Sequence, residues 1–130
     1  MAKILLIDDD PAIVSLLEKF LVGEGHTVVT AGNGLKGVEF LSNNLFDLVI
    51  TDIIMPDQDG MFVLMALQKL PQKPKTIVIS GGSPLLDQDL MFKTAKLLTA
   101  DAVIPKPFEL KLLSNTIYRL LNESDRYSRR

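Results

Sequence analysis

Three short stretches of this chain run apolar without the alternation of a half-exposed strand: KILLI at Lys3–Ile7, LVIT at Leu48–Thr51 and TIVI at Thr76–Ile79. Runs of that length fit strands covered on both faces, and strands of that kind belong to parallel sheets. Two weaker runs join them, the β-branched TVVT at Thr27–Thr30 and the short Ala102–Ile104. Helical stretches lie between. Asp10-Pro11 reads as a helix start, with Asp capping and Pro at the first helical position. Ile13, Leu17, Phe20 and Leu21 then share one face, and Gly23–Gly25 end the helix. Asn33-Gly34 opens a second helix carrying Leu35, Val38 and Leu41, which dissolves at Asn43-Asn44. Pro56–Gly60 is turn chemistry ahead of Met61–Leu70, a helix apolar on most of its circumference and broken by Pro71 and Pro74. Leu86–Leu98 reads as a fourth helix, and a final one aligns Leu110, Leu113, Ile117, Leu120 and Leu121.

Strands alternating with helices through short connections specify an α/β fold, a doubly wound sandwich around a five-stranded parallel sheet. Right-handed crossovers leave few topologies, and the order 2-1-3-4-5 is the common small solution. Ligands of such sheets bind beyond the carboxyl ends of the strands. Pro105 beside the fifth strand fits an edge position, which tolerates a missing donor.

With 130 residues the chain suits one domain, and it carries neither a Gly/Ser/Pro-rich linker nor an internal repeat. The expected division is a domain over residues 1–123 and a tail over 124–130, where Arg126, Arg129 and Arg130 gather. A formal charge of −2 gives no electrostatic basis for binding nucleic acid or an anionic membrane. The absence of cysteine excludes disulfide scaffolds, thiolate metal sites and thiol catalysis. Met1 leads straight into a strand-like run rather than a signal peptide, and no apolar stretch has the length to span a bilayer, so a cytoplasmic location is expected.

The strand ends carry the chemistry. Asp8 and Asp9 follow the first strand, Asp52 the third, Ser80 the fourth and Lys106 the fifth. An Asp after a strand is ordinarily a turn former, and a single Lys or Ser there is unremarkable. In the inferred order these strands are neighbours, so all five side chains meet on one rim. Carboxylates in one small cluster repel, and a hard divalent cation such as Mg²⁺ resolves the conflict. Asp52 is then placed to act as a carboxylate nucleophile toward phosphorus, with Lys106 and Ser80 answering the charge on the transferring group. Asp10 serves as the cap before Pro11, and Asp59 as the cap of the following helix. His26, the single histidine, has no ligand-spaced partners in the sequence.

The chain resembles a response-regulator receiver domain of bacterial two-component signalling. The matching pieces are KILLIDDDP at Lys3–Pro11, DLVITDIIMPDQDG at Asp47–Gly60, TIVISGG at Thr76–Gly82 and DAVIPKPF at Asp101–Phe108, in the family's order and near its spacing. The resemblance implies a flavodoxin-like (βα)5 fold with Asp52 as phosphoacceptor. It implies Mg²⁺ held directly by Asp9, Asp52 and the backbone carbonyl of Ile54, and by Asp8 through water. Ser80 would bond a phosphoryl oxygen and Lys106 would pair with it, with Lys106–Pro107 cis. The implied phosphodonor is a sensor histidine kinase or a histidine phosphotransfer protein. The implied output is altered binding of a downstream protein, by a monomer or a phosphorylation-dependent dimer, through a switch that is not an enzyme beyond slow self-dephosphorylation. Three departures stand out. Val103 occupies a position usually held by Tyr or Phe, the Ser80–Lys106 segment is about a helical turn longer than typical, and Thr99-Ala100 replaces the common Gly-Ala.

Two rival readings follow from the same residues. Asp8-Asp9-Asp10 contains the Asp-x-Asp of a haloacid-dehalogenase-like phosphatase, whose nucleophile would be Asp8. Against it, the chain is short and Gly-Thr does not follow the carboxylates. A receiver fold with a silent switch, acting purely as a binding module, is the other. Because the chain begins and ends close to the domain, a stand-alone receiver is expected over a fragment of a larger regulator.

Overall fold

The computed structural model describes the backbone of residues 1–52, 60–80 and 100–128, and side chains over 1–52, 62–79 and 100–122. Within them lie five strands, β1 (Lys3–Ile7), β2 (Thr27–Ala31), β3 (Leu48–Asp52), β4 (Lys75–Ser80) and β5 (Ala102–Pro105). Four helices are described, α1 (Pro11–Gly23), α2 (Gly34–Asn43), α3 (Gly60–Gln68) and α4 (Leu110–Ser128). The helix expected over Leu86–Leu98 and the cap expected at Asp59 lie outside the described residues. The strands form one parallel sheet in the order β2-β1-β3-β4-β5, as the alternation of elements requires.

Successive residues of the central strands point to opposite faces, and each face has its own core. Ile4 and Leu6 of β1, Leu48 and Ile50 of β3, and Ile77 and Ile79 of β4 pack with Leu17 and Leu21 of α1 and Leu113, Ile117 and Leu120 of α4. Leu5, Ile7, Val49 and Val78 face the other way, onto Leu41 of α2 and Val63, Leu64 and Leu67 of α3. Both faces are thus dry, which explains the unbroken apolar runs. Each fully buried Leu or Ile contributes about 1.5–3 kcal/mol of transfer free energy.

Local chemistry sets the helix ends. Asp10 caps α1, its carboxylate accepting from the Ala12 amide at 3.0 Å, and Pro11 follows in the first turn. Asn33 caps α2 through the Lys36 amide at 2.8 Å. Such caps are each worth about 1 kcal/mol. Past α1 the chain reverses through Gly25, whose φ of +98° suits glycine. At the amino ends of the strands, Asp47 accepts the Lys3 amide at 2.8 Å and Asp101 accepts the Thr76 amide at 2.8 Å.

Leu41 and Val38 of α2 pack inward as expected, but Leu35 does not. In α2 the inward residues are Gly34, Gly37 and Leu41, while Leu35 is 52% exposed. Glycine brings the helix backbone against the sheet, and the face that approaches closest need not be the one with the largest side chains. In α3, Val63, Leu64 and Leu67 are buried whereas Phe62 and Met65 are exposed, so its apolar circumference exceeds what the sheet covers.

Gly37 tests this close packing. A Cβ at this position would lie 2.4 Å from Ile7 Cδ1 and 2.9 Å from Cγ1, and Ile7 is fully buried. Gly→Ala within a helix normally gains about 1 kcal/mol, but overpacking costs about 1–3 kcal/mol. Gly37→Ala is therefore expected to lower stability by up to about 2 kcal/mol in denaturant unfolding, contrary to helix propensity. Adding Ile7→Val removes Cδ1, so the double variant should be less destabilised than the sum of the single ones.

Candidate functional site

The strand register places the acidic residues. Ile7 pairs with Thr51, so Asp8 and Asp52, one residue further along, stand at the same level on adjacent strands. Asp52 pairs with Ile79, and Ser80 with Pro105, which puts Lys106 immediately beyond the end of β5. The carboxylates of Asp8, Asp9 and Asp52 each offer an oxygen within 4.8 Å of the others. Asp8 is 2% exposed and Asp52 6%, whereas Asp9 faces solvent.

One cation enters the cluster from β5. Lys106 Nζ lies 3.1 Å from Asp52 Oδ2 and 3.4 Å from Asp8 Oδ2, bridging carboxylates from two strands. The peptide bond between Lys106 and Pro107 is cis. The Asp10 backbone amide donates to Asp8 Oδ1 at 2.9 Å, so both oxygens of Asp8 are engaged. Sequence reasoning missed this amide. The two-residue spacing from Asp8 to Asp10 is the usual spacing of an Asx turn and was its available signal.

Burial is the chief influence on Asp8 and raises its pKa above the ordinary carboxylate value; the neighbouring Asp52 charge raises it further, against the Asp10 amide and Lys106. For Lys106 burial acts first and downward. The charges and hydrogen bonds of Asp52 and Asp8 outweigh it and hold the ammonium above its usual value, so Lys106 stays charged at neutral pH.

The donor set fits a hard divalent cation. The atoms on offer are carboxylate oxygens, clustered and partly open to solvent through Asp9, as Mg²⁺ prefers. Asp8, Asp9, Asp52 and Lys106 thus come together as the sequence suggested. Ser80 is placed as the last residue of β4, while its side chain, and the whole of Ile54, lie outside the described residues. His26 sits at the opposite, amino-terminal end of the sheet beside Ala2. No helix among the described residues is long and apolar enough to cross a membrane.

Comparison with known proteins places this geometry. The family model described as the response regulator receiver domain matches residues 4–118. The transcriptional regulatory protein CpxR of Escherichia coli K12 is 36% identical over 124 residues, covering 95% of this chain and 51% of that protein. The chain thus spans about half the length of that relative. A response regulator receiver domain protein from Clostridium thermocellum superposes with a TM-score of 0.84 at 31% identity, covering 96% of this chain and 98% of the other. The response regulator TrrA from Thermotoga maritima, solved in complex with Mg²⁺-BeF, superposes with a TM-score of 0.79 at 29% identity, covering 92% and 99%.

The balance of charge predicts a stability effect. A carboxyl whose folded pKa exceeds its unfolded value destabilises the fold when ionised; the loss is full above the folded value and relieved as pH falls toward the unfolded value of about 3.8. Asp8→Asn keeps an acceptor for the Asp10 amide and removes the charge. Without divalent cations at pH 7 it should raise the melting temperature by about 2–6 °C, with the gain shrinking at pH 4. Circular-dichroism melts at both pH values check this; a lowered melting temperature at pH 7 would mean that the pair with Lys106 dominates.

Proposed function

The chain belongs to the response regulator receiver domain family, and from that membership we propose that it is a phosphorylation-dependent signalling switch whose phosphoacceptor is Asp52. The observation carrying this assignment is the position of Lys106 Nζ, 3.1 Å from the buried Asp52 carboxylate and 3.4 Å from Asp8, with Asp9 completing the cluster. A haloacid-dehalogenase-like reading would need Asp8 as nucleophile. Its two oxygens are occupied by the Asp10 amide and Lys106, and burial holds its pKa up.

In the proposed reaction an Asp52 carboxylate oxygen attacks the phosphorus of a phosphohistidine on a sensor kinase or phosphotransfer protein. The phosphorus–nitrogen bond breaks, an aspartyl phosphate forms, and the donor histidine leaves with the bonding pair. Lys106, charged throughout the neutral range, is near enough to Asp52 to pair with a phosphoryl oxygen once the carboxylate is phosphorylated. Ser80, at the end of β4, supplies a hydroxyl donor to another oxygen. Asp9, Asp52 and the Ile54 carbonyl would hold Mg²⁺ directly and Asp8 through water, and the ion, when bound, supplies charge neutralisation for the transferring group. Asp52 sits where the new charge adjoins the Ser80 end of β4 and the Lys106 end of β5. Rearrangement of those ends would alter the affinity for a downstream protein. Val103 of β5 packs half-buried against the core on the α2–α3 side and offers no aromatic ring to this movement.

Intact mass spectrometry after incubation with acetyl phosphate tests the assignment. Wild type should gain one phosphoryl group in the presence of Mg²⁺ and none in EDTA, and Asp52→Asn should gain none. An adduct that survives in Asp52→Asn would overturn the choice of nucleophile. Multiple turnover of a phosphate ester would overturn the switch itself.

A further inference from the structure

At the amino-terminal end of the sheet, roughly 17 Å from the acidic rim for strands of this length, the β1–β2 ladder ends on an unusual rung. Thr27 donates its amide to the Ala2 carbonyl at 2.9 Å, continuing the ladder in the ordinary way. The Ala2 amide instead donates to Nδ1 of His26 at 3.1 Å, so an imidazole stands in for a backbone carbonyl. His26 is itself held in place, its own amide donating to the Leu21 carbonyl at 3.1 Å just past α1. Ala2 is buried, leaving its amide little water to turn to.

This arrangement needs one protonation state. A nitrogen that accepts a hydrogen bond carries no proton, so Nδ1 is bare and the hydrogen sits on Nε2; a doubly protonated imidazole has no acceptor left. We propose that His26 is a pH-sensitive latch on the amino-terminal end of β1, closed while the imidazole is neutral and released when Nδ1 takes up a proton. The latch is independent of the phosphoryl chemistry.

The surroundings favour the closed form near neutrality. His26 borders a cavity of about 540 Å³ between the start of β1, the end of α1 and α4. The titratable groups facing that space are the Met1 amine, Glu24 after α1, Asp47 before β3 and Tyr118 on α4. Both carboxylates are already engaged: Glu24 accepts from the Ser114 hydroxyl, and Asp47 accepts the Lys3 amide. Burial lowers the His26 pKa first and the Met1 amine lowers it further, against an upward pull from Glu24. A histidine whose folded pKa lies below its unfolded value gives stability that is full above about 6.5 and is lost as pH falls through the folded value.

Proton–nitrogen NMR of the full chain between pH 8 and 5 tests the latch. His26 should titrate below about 6.5, and the Ala2 amide should shift with the same midpoint. Amide protection of Ala2, corrected for intrinsic exchange, should fall about tenfold per pH unit from about 6.5 down to that midpoint and then level off. In His26→Gln the side-chain carbonyl accepts without titrating, so the Ala2 resonance should show no step at the wild-type His26 midpoint, whatever drift the Met1 amine imposes at higher pH. A His26 midpoint at or above 6.5, or an Ala2 amide indifferent to His26 titration, would overturn the proposal from wild type alone.

Discussion

Parallel pairing between β1 and β3 is the constraint from which the site follows. With Ile7 set against Thr51, the next residue of each strand is an aspartate, and two carboxylates meet at the sheet edge with their strands packed on both faces. A slip of one residue would invert the side chains of β1, sending Leu5 and Ile7 to the wrong core and separating Asp8 from Asp52. The same residues thus enforce packing and chemistry. Because both cores depend on the register, the carboxylates are held together by far more apolar burial than their repulsion could undo.

That repulsion is still felt. Burial and the charge of Asp52 push Asp8 toward neutrality, and only the Asp10 amide and Lys106 oppose them. The rim is a local weakness, tolerable because Lys106 brings a positive charge from the end of β5. Such a site is primed for further cationic charge and for an anion that bridges it to the lysine. Structural strain and binding capacity here have one origin.

Much of this was legible in the residues. Unbroken apolar runs at β1, β3 and β4 signalled strands buried on both faces, and Asp10-Pro11 and Asn33-Gly34 marked helix starts that the caps bear out. The grouping of Asp8, Asp9, Asp52 and Lys106 followed once the strand order was inferred, because their places at strand ends are positions in sequence. The inward face of α2 was only partly legible: Val38 and Leu41 pack as periodicity indicated, but Leu35 is exposed because Gly34 and Gly37 permit a closer approach than any larger side chain. The Asp10 amide was passed over as well, a main-chain donor marked only by the Asx-turn spacing that follows Asp8. His26 looked inert for a related reason, since its partner is the backbone of Ala2, twenty-four positions away.

Lys106 meets Asp52 across 54 residues and Asp8 across 98, and it follows directly on β5, the last of the described strands in the chain. During synthesis, a chain that has emerged only as far as β4 already contains every carboxylate of the cluster but not the cation that balances it. Contacts so distant along the chain form late, after the loops between them have closed. A chain stopped at β4 therefore carries the acidic residues without the ammonium that pairs with them. Chemical competence waits until β5 and the residue that follows it have been made.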